Sequence, residues 1–162
     1  MEEREMKERE KDHLLKFSAE RPEKNIGRLR EIPFFAVFRD DAHLEMVVEN
    51  GTWLECPEGT ILVREGELER DFFVLIQGNV RVFKGKKTLA LLSRGEILGE
   101  MGALLAEPRS ANAVALKDCH LYRMDVSVLK SFPQRVIFEM MHYVYRVTAT
   151  RLVTADRRLA AV

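Results

Sequence analysis

Cysteine is scarce in this chain: Cys56 and Cys119 are the only two in 162 residues. They fall in separate apolar, alternating runs with no CxxC spacing, which argues against a structural metal site or a disulfide framework. Two small buried thiols in a reducing compartment are expected instead. Surplus charge is also missing. The 26 basic residues balance the 26 acidic ones, so nothing in the totals argues for a nucleic-acid partner. No apolar run approaches the ~18 residues that a membrane-spanning helix needs. The chain is charged from Glu2 onward, so no secretory leader is expected. Histidine is limited to His13, His43, His120 and His142, without HxH or HxxxH spacing, and no metal site is expected from them. Repeats and low-complexity segments are lacking. These absences favour a cytoplasmic protein without a membrane span.

What is present suffices for one domain with attached helices. The hydrophobic share of 46% is ordinary for a globular protein, and a chain of this length buries roughly two thirds of its unfolded surface. Residues 1–31 are charge-dense, with Glu3–Lys7 and Glu5–Arg9 at i,i+4 helical spacing. Leu14, Leu15 and Phe17 give a short apolar stripe, and Arg21-Pro22 should end that helix. This charged segment reads as a solvated helix face, with docking to a larger effector protein as the sharper alternative. Residues 32–162 read as the main domain. Ile32-Pro33-Phe34-Phe35 suggests a turn, followed by a helix through His43–Val48 with Asp40 or Asp41 as N-cap and Asn50-Gly51 as its end.

From residue 52 to 125 short apolar runs alternate with turn residues every 8–12 positions, the pattern of an antiparallel sandwich or barrel. Strands are expected near 52–56, 60–64, 71–77, 79–84, 87–92, 96–98, 111–116 and 119–125. After Asp125 the period becomes helical. A brief helix is expected over 127–132, and Pro133 suits the first turn of a long helix reaching about Ala160. Ile137, Met141, Val144, Thr148, Leu152, Ala155 and Leu159 form a stripe close to a coiled-coil seam. Val136, Met140, Tyr143 and Val147 widen the apolar face, so both its own strands and a second copy of the chain are plausible partners. Tyr143 and Tyr145 are expected to pack there, with stacking on a bound ring as the alternative. Trp53 is expected in the core.

The gap at 99–108 carries chemistry. Leu98-Gly99-Glu100-Met101-Gly102 is followed by Arg109-Ser110-Ala111-Asn112-Ala113. The first segment offers a turn glycine where backbone can approach a ligand and a carboxylate for a sugar hydroxyl. The second offers an arginine able to pair with a phosphate. A structural Glu100–Arg109 ion pair is the plainer reading of two such residues.

Together these segments resemble the phosphate-binding cassette of cyclic-nucleotide-binding domains, as in the catabolite activator family and the regulatory subunits of cAMP-dependent kinases. The similarity spans roughly residues 32–160. Glu55–Glu67 looks like the family's first hairpin, Gly78 within Asp71–Phe83 occupies its tight turn, and Arg94-Gly95-Glu96 leads into the cassette. Ala103 departs from the pattern, which usually has a larger aliphatic residue, and should loosen packing slightly. The resemblance implies a mainly β fold with flanking helices: an antiparallel β-roll of the double-stranded β-helix or jelly-roll kind, N-terminal helices and a long C-terminal helix.

It further implies that Arg109 holds the cyclic phosphate and Glu100 the ribose 2′-hydroxyl, with Gly99 and Ala111 offering backbone groups. A short helix at Glu100–Leu105 would turn its N-terminal amides toward the anion. Met101 joins the ligand-contacting set. Ser110 would reach the phosphate or a syn purine, and Val82 and Leu89 would line the base and ribose pocket. Thr150, Arg151 or Thr154 of the long helix would cap the base, and the alternatives stay open. cAMP is expected over cGMP because serine at 110 suits either, whereas threonine would lean toward guanine.

The implied function is a non-catalytic sensor, paired through the long helix, that couples binding to movement of that helix. The chain stops at Val162 without a helix-turn-helix, so direct gene regulation is not expected. A ligand-free dimeric scaffold of the same fold is the alternative. A metal-dependent enzyme on a similar small barrel is disfavoured by the scattered histidines.

Overall fold

The alternating apolar runs form eight strands: β1 (Thr52–Cys56), β2 (Ile61–Val63), β3 (Asp71–Gln77), β4 (Val80–Lys84), β5 (Lys87–Leu92), β6 (Ile97–Leu98), β7 (Asn112–Ala115) and β8 (Cys119–Asp125). Each lies within a residue or two of its expected span. The computed structural model describes residues 24–161. The helix expected over Glu3–Arg9 and Leu14–Phe17, and its stop at Arg21-Pro22, lie outside the described residues. All described strand pairs are antiparallel, in two four-stranded sheets ordered β1-β8-β3-β6 and β2-β7-β4-β5.

Among the described residues, three short helices precede the strands: α1 (Ile26–Leu29), α2 (Pro33–Ala36) and α3 (Asp41–Glu49). The turn expected at Ile32–Phe35 is tightened into the single turn α2, where Pro33 occupies the first helical position. Asp40 is the N-cap of α3, its carboxylate accepting from Ala42 N–H at 2.8 Å. Helix α4 (Glu100–Leu105) lies between β6 and β7. After β8, residues Val126–Ser131 form a 3-10 helix capped by Asp125, and α5 (Gln134–Ala160) follows.

Strand β3 explains why two layers cohere. Its apolar run has no polar face because both faces are covered. Phe72, Val74 and Ile76 join α1–α3, Trp53, Tyr122 and the buried face of α5 in one core. Phe73 and Leu75 join Leu54, Leu62, Val80, Leu98 and Leu121 in a second core between the sheets. Cys56 and Cys119 sit in that inner core, opposite one another on β1 and β8, as buried free thiols. Burial pushes the Cys56 thiol up to about 12, which leaves it protonated and unreactive.

The first half of the long helix takes one of the two partners the sequence left open for it. Ile137, Met141 and Val144, read as part of a seam for a second copy, pack against the chain's own core together with Val136, Met140, Tyr143 and Val147. A stripe leaning the other way stays open: Phe138, Tyr145, Leu152 and Leu159 are all exposed. Tyr143 meets Phe34 edge to face at 5.7 Å.

Tyr122 joins the layers. It is fully buried, packs edge-on against Phe35 and Trp53, and its hydroxyl donates to the Val47 carbonyl. That carbonyl is among the last four of α3, which have no partner within the helix. Tyr122→Phe leaves it buried and unpaired, so the variant should lose about 1–3 kcal/mol of unfolding free energy. Urea titration of both proteins reads that difference.

Candidate functional site

Two residues in the left-handed region frame α4. Gly99 precedes it at φ 81° and Ala106 ends it at φ 53°. Gly99 is required twice over, because a β-carbon there would come within 2.7 Å of Arg109 Nη1. The loop leading to β7 is pinned by backbone bonds from Arg109 N–H to Glu67 O and from Gly66 N–H to Arg109 O, each 2.8 Å. With its backbone fixed there, the Arg109 side chain turns inward and is only 5% exposed.

A buried guanidinium must be met by acceptors. Arg109 Nη1 donates to Gly99 O at 2.5 Å, and Nη2 donates to Asp71 Oδ1 at 2.8 Å and to the Asp71 carbonyl. Its Nε is buried without a partner. Asp71 heads β3 and also faces Arg123 at 3.7 Å. Burial raises the Asp71 carboxyl above the usual carboxylate range, opposed by the charges of Arg109 and Arg123.

Glu100 is 3% exposed and is not the partner of Arg109. Arg151 of α5 meets it instead, with Nη1 donating to Glu100 Oε1 at 2.6 Å and Nη2 donating to Ile97 O at 2.7 Å. The plain reading of a Glu100–Arg109 ion pair therefore gives way to two separate pairs, Arg109–Asp71 and Arg151–Glu100. No described hydrogen bond uses Glu100 Oε2. The Tyr143 hydroxyl is raised by burial, with Arg151 acting in the opposite direction.

Gly99, Glu100, Met101, Arg109, Ser110, Ala111, Val82, Leu89, Thr150, Arg151 and Thr154 line one cavity of about 570 Å³, whereas Tyr143 and Tyr145, offered as stacking residues, do not. Gly99, Glu100 and Met101 come from the start of α4, and Arg109, Ser110 and Ala111 from the loop before β7. Val82 of β4 and Leu89 of β5 form an aliphatic side. Thr150, Arg151 and Thr154 close it from α5, yet in different ways. The two threonine hydroxyls donate back to helix carbonyls, Thr150 to Arg146 O and Thr154 to Thr150 O, both at 2.9 Å.

Sequence reasoning missed Asp71 as the arginine's partner and Arg158 as a lining residue. Helical spacing beyond Thr150 and Thr154 was the available signal for Arg158. Nothing local to Asp71 announces its pairing, which spans 38 residues of chain. Among the described residues no three His, Cys, Asp or Glu side chains group as a metal site, and no helix is long and apolar enough to cross a membrane.

The family model described as "Cyclic nucleotide-binding domain" matches residues 53–136. The chain is 33% identical over 112 residues to the cyclic AMP receptor protein of Thermus thermophilus, covering 64% of this chain and 50% of that protein. It is 28% identical over 117 residues to the cGMP-dependent protein kinase egl-4 of Caenorhabditis briggsae, covering 70% of this chain but 15% of the kinase. The chain thus spans half of the first relative and a small part of the second. In fold it is similar to the crystal structure of a cyclic nucleotide-binding domain from Methylobacillus flagellatus, at TM-score 0.73 and 20% identity, covering 85% of each chain. The match over half the chain identifies it as a member of the cyclic nucleotide-binding domain family.

Arg151 and Glu100 join elements 51 residues apart, and the bond is half open to solvent on the arginine side, which is 41% exposed. A double-mutant cycle on Arg151→Ala and Glu100→Gln should return a coupling of about 1–3 kcal/mol in unfolding free energy. Strict additivity would mean that the contact does not hold α5 against the site.

Proposed function

We propose that this family member is a non-catalytic sensor that binds a cyclic nucleotide in the cavity beneath α5. One observation carries the reading: Arg109 is nearly fully buried, lines the cavity, and keeps its Nε–H without a partner. Burying a guanidinium with a donor unspent is costly, and an anionic ligand supplies the missing acceptor. In this reading Arg109 holds the cyclic phosphate. Gly99, Ala111 and Ser110 add backbone and hydroxyl groups, and Met101, Val82 and Leu89 provide apolar contact. Glu100 accepts from the ribose 2′-hydroxyl through Oε2, the oxygen that Arg151 leaves free.

We favour cAMP over cGMP. The two curated relatives carry opposite names in this respect, one a cyclic AMP receptor and the other a cGMP-dependent kinase. Residues 32–162 make up the binding domain and 1–31 a charged lead-in whose far end is anchored by buried Leu29. The setting is the cytoplasm, with neither a nucleic-acid nor a membrane partner, and readout passes to an effector protein.

Coupling runs through Arg151. Ligand fixes α4 and Glu100, the 3-10 helix at 126–131 follows, and α5 closes. Binding shifts that balance only by favouring the closed arrangement. The ligand-free scaffold remains as a second reading for one reason: Arg151 already satisfies one oxygen of Glu100, as a structural pair would.

Thermal unfolding with and without cAMP or cGMP separates the two. At a hundredfold excess over Kd, binding adds ~2.7 kcal/mol, a rise of roughly 5–10 °C in Tm for this size. Arg109→Ala should remove about 2–5 kcal/mol of binding free energy. The absence of any shift at millimolar nucleotide would leave the scaffold.

The same helix carries the proposed homodimer. Phe138, Tyr145, Leu152 and Leu159 recur every seven residues and are 69%, 71%, 62% and 75% exposed, the spacing of one coiled-coil position. Leu152→Asp with Leu159→Asp should convert a dimer to a monomer in sedimentation equilibrium, with the roll still folded. A wild-type monomer at the same concentration would refute the pairing.

A further inference from the structure

The chain carries no net charge, so its totals supply no field to draw in an anion. Its charges are sorted all the same. Residues 40–69 hold nine acidic residues and one basic residue, Arg64. Residues 72–95 hold five basic residues, Arg81, Lys84, Lys86, Lys87 and Arg94, and no acidic one. Four of those five lie on the β4–β5 hairpin, whose strands give Val82 and Leu89 to the cavity wall. None of the nine acidic residues lines that cavity; Glu96 and Glu100 are the carboxylates that do.

Inside the cavity the charges cancel. Arg109 is met by Asp71 and Arg151 by Glu100. Arg158 and Glu96, the other charged residues of the lining, are of opposite sign. Attraction from a distance therefore falls to the rim, where the hairpin holds its charges in a fixed geometry. Gly85 takes the left-handed turn at φ 58°. Arg81 donates through Nε to Thr88 Oγ1 at 2.8 Å and lies over the Phe83 ring at 4.7 Å. Lys84 is offset by Glu65 at 3.4 Å. Lys86 and Lys87 are exposed and make no described hydrogen bond or ion pair. They stand three and two residues from Leu89, ~7–10 Å along the strand, a range comparable with the Debye length of ~8 Å at physiological salt.

We propose that Lys86 and Lys87, at the tip of the β4–β5 hairpin, are an electrostatic guide that speeds capture of an anionic ligand by the cavity. The proposal rests on the reading of the cavity as a cyclic-nucleotide site. A monoanionic phosphate diester nearing the mouth meets the lysine field before it meets the buried, already paired Arg109. Neither lysine lines the cavity, so neither holds the ligand once it is seated. A rim charge of this kind acts on the association rate and its salt dependence rather than on dissociation. Strand β5 is also the open edge of its sheet, where lysine guards against pairing with another strand. That guard needs a charge of either sign, whereas guidance needs a positive one. Exchange of both lysines for glutamate keeps the guard and reverses the field.

The test is stopped-flow binding of a fluorescent 8-substituted cAMP to the full chain, at about 10 mM and about 300 mM salt. Wild type is compared with Lys86→Glu/Lys87→Glu and with Lys86→Gln/Lys87→Gln. Reversing two charges at that range should slow association about five- to tenfold in the low salt. The glutamine pair should fall between the other two proteins, and all three should converge in the high salt. Dissociation rates should agree throughout. Equal association rates in low salt, or a loss that shows in dissociation instead, would overturn the guide while leaving the cavity reading intact. Failure of wild type to bind the probe, or of cAMP to displace it, overturns the cavity reading as well.

Discussion

A guanidinium held away from water without acceptors is among the most costly things a small domain can contain. Arg109 imposes that demand, and much of the local architecture answers it. Gly99 must lack a side chain and take a left-handed conformation so that its carbonyl reaches Nη1. Strand β3 must begin with Asp71, so that carboxylate and carbonyl both face Nη2. The loop before β7 must be clamped to Glu67 and Gly66 so that the side chain enters at all. Burial raises the Asp71 carboxyl, and the charges of Arg109 and Arg123 oppose it. Such an arrangement contributes little to stability compared with apolar packing of the same volume. Its value lies in a charge placed in advance, with one N–H still to be satisfied.

The second pair does different work. Arg151 belongs to α5 and Glu100 to α4, so their bond ties the wall of the cavity to its floor. The first half of α5 is fixed by Val136, Met140 and Val144 in the core. From Arg151 onward every described residue of the helix is exposed, so little apolar packing restrains that half. A segment so weakly packed takes its position from a few polar contacts, and those contacts lie in the proposed site. In the proposed reading, a ligand that reorders Glu100 acts on α5 through Arg151 as well as through the 3-10 helix at 126–131.

The sheets were legible because turn glycines and alternating apolar runs are local signals: Gly78 and Gly85 mark their hairpins, and the strands fall between them. That Gly99, Glu100 and Arg109 would lie close together was legible for the same reason, since they fall within a dozen residues, and all three line the cavity. What stayed hidden was long-range. Glu100 and Arg109 were natural partners by proximity in sequence, yet each found another partner across the fold, Arg151 and Asp71. The partner of the long helix stayed open between the chain's own strands and a second copy because an apolar stripe does not state which surface it covers. Ile137 and Met141 lie against the chain's own core, and the open stripe begins one residue later at Phe138. Ala103, the departure from the family pattern, is fully buried, and its carbonyl accepts from Arg70 Nε at 3.1 Å. A backbone contact of that kind leaves no trace in side-chain identity.

These features converge on the last three turns of α5. Arg151, Thr154 and Arg158 look into the cavity, while Leu152 and Leu159 occupy a neighbouring face open to solvent. One rigid element thus presents a ligand-facing stripe and an apolar stripe side by side. A helix cannot rotate one stripe without carrying the other, because its residues share a single hydrogen-bonded backbone. In the proposed reading, a partner seated on Leu152 and Leu159 fixes the azimuth at which Arg151 meets Glu100. Ligand in the cavity in turn fixes the face offered to the partner. The two binding events then share one coupling free energy, and each must change the affinity of the other by the same factor.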